Sequence, residues 1–188
     1  MTTTTICILI AVAAVVIMAI LLLTGYNSLV RLNNKVKEAF STMDVTLKKR
    51  YDLIPALVEV VKGYAGHESE TLQRVTRMRS DAVLKGNMQQ QIDSEVGISA
   101  ALRGIFVVAE DYPDLKANTN FLQLQEQLAR IEDEIARSRR YYNGSVREYN
   151  NRCQIFPFNI IAGLFGFKPM PMFAVGSNEE RQAVNVNL

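Results

Sequence analysis

The sequence predicts an all-α protein: an N-terminal transmembrane helix followed by an antiparallel bundle of long helices. Three observations carry that expectation. The run ICILIAVAAVVIMAILLL, Ile6 to Leu23, holds eighteen residues with no charge and no strongly polar group. Apolar residues then recur at steps of three and four along most of the remaining chain, and no alternating strand pattern of useful length interrupts them.

At ~1.5 Å per helical residue the first run reaches about 27 Å, just enough to cross a bilayer. A cleaved secretory signal needs a basic start, a shorter apolar core and a small-x-small cleavage site, and MTTTT carries no Lys or Arg. Leu23, Thr24 and Gly25 resemble the residues before a lipid-modified cysteine, but Tyr26 follows and offers no thiol to acylate. A retained anchor over residues 6–24, in contact with membrane lipid, is therefore expected after a short outer N-terminus of residues 1–5. Arg31, Lys35 and Lys37 follow the span closely, which predicts that the N-terminus lies outside and the bundle in the cytoplasm.

The bundle domain is expected over residues 25–155. Leu29, Asn33, Val36, Phe40, Met43 and Leu47 form the first stripe, with Asn33 the polar exception, and no Gly or Pro lies between Tyr26 and Ile54. Pro55 removes a backbone donor and disfavours helical geometry at Ile54. The expected solution is a cap and restart, with Asp52 as N-cap and Pro55 in the first turn of a new helix. That helix places Leu57, Val61, Tyr64, Leu72, Val75 and Met78 on its apolar side, with a short break near His67. KGNMQQQIDS, residues 85–94, reads as a polar loop.

A third stripe runs through Ile98, Leu102, Ile105, Ala109 and Tyr112, and Pro113 is expected to close it. The last long helix keeps strict seven-residue register through Phe121, Leu124, Leu128, Ile131, Ile135, Ser138, Tyr142, Ser145 and Tyr149. Glu126 with Arg130, Asp133 with Arg137 and Glu148 with Arg152 stand four apart on its outer faces. An extended coiled coil is the alternative packing of such heptads.

The composition excludes several function classes. The formal net charge of +2 mixes 21 basic with 19 acidic residues and forms no basic block, so nucleic acid is not an expected partner. With a single histidine, His67, neither the two-histidine zinc helix nor a carboxylate-bridged metal centre with paired Glu-x-x-His motifs can be built. No phosphate loop and no nucleophile elbow is present. Glu132, Asp133 and Glu134 point around a helix instead of converging, which favours a solvated face. Tyr141 and Tyr142 beside Arg139 and Arg140 suit base stacking, but Tyr142 belongs to the seam. Cys7 lies in the span and Cys153 near the far end, so no disulfide framework is indicated. No catalytic, cofactor or metal site is expected, and no enzymatic activity.

Asn33, Arg50, Asp52, Glu59 and Asn143 fall near apolar seams and must pair if buried. They are the candidate polar network, within the bundle or between subunits. FPFNIIAGLFGFK, residues 156–168, is apolar and too short to span a membrane. Phe156, Ile160, Leu164 and Phe167 suit a lipid interface, the end of the bundle or a groove on another subunit, and packing on the protein is favoured. This segment is taken as residues 156–175, with a weakly ordered tail over 176–188.

The motifs DLIP, YPDLKAN and RRYYN, in that order, with FPFNIIAGLFGFKPMPMF after them, closely resemble the LemA family of bacterial membrane proteins, from the anchor to about Phe173. Asn33 stands where arginine is usual, Phe40 where tryptophan is expected, and Ala56 where asparagine often follows DLIP. The resemblance implies a membrane helix with a long-helix antiparallel bundle in a bacterial inner or cell membrane and no established enzymatic activity. It also implies links to membrane processes, one branch resembling magnetosome-membrane biogenesis proteins and others being associated with membrane proteases. The expected role is a membrane-anchored, self-associating scaffold that organises membrane or membrane-protein partners, with an adaptor to a membrane protease or envelope-stress system as the alternative.

Overall fold

The computed structural model describes residues 3–84 and 88–173. These residues contain six helices and no strand: α1 Thr3–Tyr64, α2 Ser69–Leu84, α3 Met88–Glu110, α4 Pro113–Lys116, α5 Thr119–Gln154 and α6 Phe158–Phe165. They fall into two compact units, one of residues up to Ser41 with Arg140–Met172, the other of Thr42–Arg139 with Phe173. The tail expected from residue 176 onward lies outside the described residues.

In the first unit α1 begins as a bare apolar rod. None of residues 3–24 is buried, and the whole segment is long and apolar enough to cross a membrane. Thr24 ends it, its hydroxyl satisfied within the helix by donating back to the Ile20 carbonyl at 2.8 Å. Beyond it the stripe turns inward, with Leu29, Val36 and Ala39 fully buried alongside Tyr142, Val146 and Tyr149 of α5. The two helices run antiparallel here, since Phe40 stacks near Tyr142 while Lys35 meets Glu148. Glu148 thus pairs across helices instead of with Arg152, whose guanidinium lies 4.4 Å from the centre of the Phe158 ring.

In the second unit the seven-residue register of α5 is borne out, with Phe121, Leu128 and Ile135 buried. Asn118 caps α5, its Oδ1 accepting the Phe121 amide at 3.0 Å, while its Nδ2 donates to the Tyr64 hydroxyl at 2.9 Å. The YPDLKAN motif therefore builds a corner: Pro113 opens α4, Leu115 is buried, and Asn118 starts the next helix. Pro113 does not end α3, which stops earlier at Glu110. The break expected near His67 is present as residues 65–68, with His67 exposed.

Two expectations are corrected. Residues 88–94 are helical, because Ile92 and Glu95 carry a buried face back into the polar run; Lys85 to Asn87 lie outside the described residues. The restart at Pro55 does not occur either, since α1 continues through Pro55 and Asp52 is an exposed interior residue with no capping position to fill. A mid-helix proline costs ~3 kcal/mol, in part because the carbonyl four residues earlier loses its donor. Here that carbonyl belongs to Tyr51, and Arg79 of α2 donates its Nε to it at 2.8 Å. The defect in one helix becomes the docking point for another.

Candidate functional site

One turn of α1 in the second unit gathers the two fully buried charged groups among the described residues. Arg50 and Glu95 are wholly buried. Arg50 Nη2 and the Tyr51 hydroxyl both donate to the Glu95 carboxylate, and Arg139 Nη2 reaches its Oε2 at 3.2 Å. Arg50 Nη1 donates to Glu132 Oε1 at 2.8 Å and to Ser99 Oγ at 3.0 Å. Two guanidinium groups therefore face two carboxylates, and the cluster ties α1, α3 and α5 together while Arg79 adds α2.

The local sequence explains how the groups converge. Glu95 and Ser99 stand four apart on α3, and Glu132 and Arg139 seven apart on α5, so each pair shares one helix face. Burial works against the charge of Arg50, but Glu95 and then Glu132 outweigh it and hold the guanidinium above its ordinary range. Burial also pushes the Tyr51 hydroxyl up, and the neighbouring Glu95 carboxylate adds to that. The ring stays neutral and acts as a donor. Chemically the arrangement is a clamp: charge inside a low-dielectric bundle is tolerated only with its partners in register, so the cluster fixes how the helices align.

Of the five residues expected in a polar network, only Arg50 enters it. Asp52 and Glu59 are exposed, because their positions on α1 turn away from the seam. Asn33 and Asn143 are half-buried in the first unit, and Asn33 Oδ1 is buried with no hydrogen-bond partner among the described residues. Glu95, Glu132 and Ser99, the hydrogen-bond partners of Arg50, belong to this chain. Glu95 was not anticipated, lying just after a stretch read as loop, and Glu132 turns inward from a face read as solvated.

The first unit presents a different site at the foot of the apolar rod. Gly25 is buried because Ile161 and Phe158 of α6 press on it; a Cβ there would collide with the Ile161 side chain and stand 3.4 Å from the Phe158 ring. Tyr26 packs against Phe165 and Phe167, with ring centres 4.8 and 5.8 Å apart. α6 ends at Gly166, whose φ of 74° the missing side chain permits, and the Phe167 amide returns to the Ala162 carbonyl at 2.9 Å.

From there the chain lies back along α5. The Tyr149 hydroxyl donates to the Lys168 carbonyl at 3.0 Å, Asn150 exchanges two bonds of 2.9 Å with the Met170 backbone, and the Tyr142 hydroxyl donates to the Pro171 carbonyl at 2.8 Å. Side chains of α5 thus satisfy a proline-containing strap whose own geometry cannot close a helix. Ile161 and Ala162 are the buried residues of α6, whereas Phe156, Ile160 and Leu164 remain open. Packing on the protein covers only one side of the segment.

A family model described as the LemA family matches residues 39–188. The chain belongs to the LemA family. It is 32% identical over 143 residues to Protein LemA of Metamycoplasma hominis, an alignment covering 72% of this chain and 63% of that protein. It is also similar to Magnetosome protein MamQ 2 of Paramagnetospirillum magneticum, 24% identical over 190 residues, and to Magnetosome protein MamQ of Magnetospirillum gryphiswaldense, 23% identical over 190 residues, each alignment covering 87% of this chain and 70% of the relative. For this LemA family member the aligned region includes the whole charged clamp, α6 and the strap. Together with the long apolar start of α1, these likenesses describe a membrane-associated helical protein.

Proposed function

We propose that this chain is a non-enzymatic, membrane-anchored scaffold that self-associates on the cytoplasmic face and organises or shapes membrane or membrane-protein partners. The observation that carries the reading is the continuity of α1: one helix holds an apolar stretch left wholly uncovered and then, from Leu29, a fully buried seam against α5. Such a helix ties the apolar stretch directly to the α1–α5 seam of the first unit. Arg31, Lys35 and Lys37, just past the span, favour the cytoplasmic side for the bundle. The likeness to two magnetosome proteins supports a role in membrane organisation.

Full-length protein purified in mild detergent and reconstituted into vesicles tests the proposal. Oligomers in detergent and clusters on the vesicle surface are expected; a monomer that stays dispersed overturns it. An adaptor to a membrane protease or envelope-stress system is the second reading. Crosslinking in native membranes separates the two, because an adaptor recovers one dominant partner other than itself.

A further inference from the structure

We infer that α6 is an interfacial membrane helix, with Ile160 and Leu164 on its open face and Phe156 in the turn before it seated in the headgroup and upper acyl layer of the bilayer that α1 crosses. The inference rests on anchoring by α1. Three observations on the first unit lead to it.

The first is position. α6 packs on α1 at Gly25 and Tyr26, the residues directly after the apolar stretch. Gly25 lies about 3 Å of helical rise beyond Leu23. The polar layer on each side of a bilayer's ~30 Å hydrocarbon core is roughly 5–8 Å thick. A helix about 10 Å across with its side chains, held at that level, has nowhere else to lie. Once residues 6–24 enter hydrocarbon, α6 meets the headgroups by construction.

The second is the surface itself. Ile160 and Leu164 are 60% and 70% exposed and four apart on one face of α6, Phe156 in the turn just before the helix is 74% exposed, and Ile161 and Ala162 are buried on the protein side. An apolar face of this kind on a soluble surface normally finds cover. Here the cover is continuous with the surface that already surrounds the rod.

The third is charge. Lys168 is exposed two residues past the Gly166 cap, Arg31 is exposed on α1, and Arg152 lies over Phe158. Long basic side chains beside an apolar helix reach outward to phosphate while their stems stay in the apolar layer. The surface fits an anionic lipid layer. A short helix too brief to span, aromatic rings at its base and a basic fringe are the features of a segment that lies in the membrane plane.

The chain has no tryptophan, so single reporters are clean. Leu164→Trp and Phe156→Trp in the full chain are to be reconstituted into vesicles of phosphatidylcholine and phosphatidylglycerol, with and without lipids brominated on the upper acyl chain. Val15→Trp serves as the anchoring control and Val107→Trp, on an exposed face of α3, as the aqueous control. The expected result is blue-shifted emission that loses most of its intensity to bromolipid at positions 164, 156 and 15, and none at 107. Quenching at 15 but not at 164 and 156 overturns the inference and leaves anchoring intact. If 164 and 156 are then open to aqueous iodide the face is uncovered, and if they are shielded from both quenchers a second copy or another protein covers it. Loss of quenching at position 15 as well overturns both readings.

Discussion

Helix α1 is engaged twice, by opposite chemistry. Around Arg50 in the second unit it is held by two guanidinium groups, two carboxylates and a backbone carbonyl opened by Pro55. Around Gly25 in the first unit it is held by the absence of a side chain, with Ile161, Phe158 and aromatic rings filling the space. Buried charge is costly unless every partner is in place, so the first contact specifies alignment more than it adds stability. Apolar contact gains from buried area and from close fit, and here the fit depends on Gly25 having no side chain. The charged contact finds both its carboxylates within the chain, although the Nε atoms of Arg50 and Arg139 stay buried with no hydrogen-bond partner among the described residues, and the apolar one leaves a face open to its surroundings.

The comparison breaks most sharply at Glu95. Glu95→Ala leaves Arg50 buried with only Glu132 opposite, and the expected cost is about 3–5 kcal/mol; loss of helical circular dichroism on denaturation in detergent measures it, and a change near zero means that the cluster is not closed. Next in size, Arg79→Leu orphans the Tyr51 carbonyl and is expected to cost ~1–3 kcal/mol. In a Pro55→Ala background that cost should shrink, because residue 55 then supplies the missing amide, and a double-mutant cycle reads the coupling directly.

At the apolar contact, Gly25→Leu forces side-chain bulk onto Ile161 and is expected to cost about 1–3 kcal/mol, localised to α6. Amide exchange should rise across residues 158–165 while α3 is unchanged. Tyr142→Phe is the mildest, at ~0.5–1.5 kcal/mol for the lost bond to Pro171. Burial pushes the Tyr142 hydroxyl from its ordinary 10.0 up to about 12, so the folded state holds its proton longer than the unfolded chain. Its contribution is complete below pH 10.0 and is lost as pH rises toward about 12; in Tyr142→Phe that part of the alkaline loss disappears.

What was legible in the sequence follows the same division. The seam of α5 could be read because Phe121, Leu128, Ile135, Tyr142 and Tyr149 repeat every seven residues, a local signal, and all five are buried. Arg50 could be suspected because a charge sat beside a stripe. Its partner Glu95 could not, since it is 45 residues away and lies beside a polar run that suggested a loop. The reading of Pro55 failed for the same reason: local rules place proline at a helix start, and the donor that permits it mid-helix comes from Arg79, 28 residues beyond the Tyr51 carbonyl that it serves. Asn150 gave no hint that it would hold the Met170 backbone. Compensations of this kind are tertiary, and helical periodicity carries no record of them.

On this proposal lipid covers the foot of the anchor, whereas the carboxylate partners of the charged clamp lie within the chain. A photoactivatable probe dissolved in the acyl phase of vesicles carrying the full-length protein, read out by peptide mapping, tests it most directly. Labelling is expected across residues 6–24, on the open face of α6 at Ile160 and Leu164 and at Phe156 just before it, with none on α3 from Met88 to Glu110. Labelling confined to residues 6–24, or labelling that extends onto α3, would contradict it.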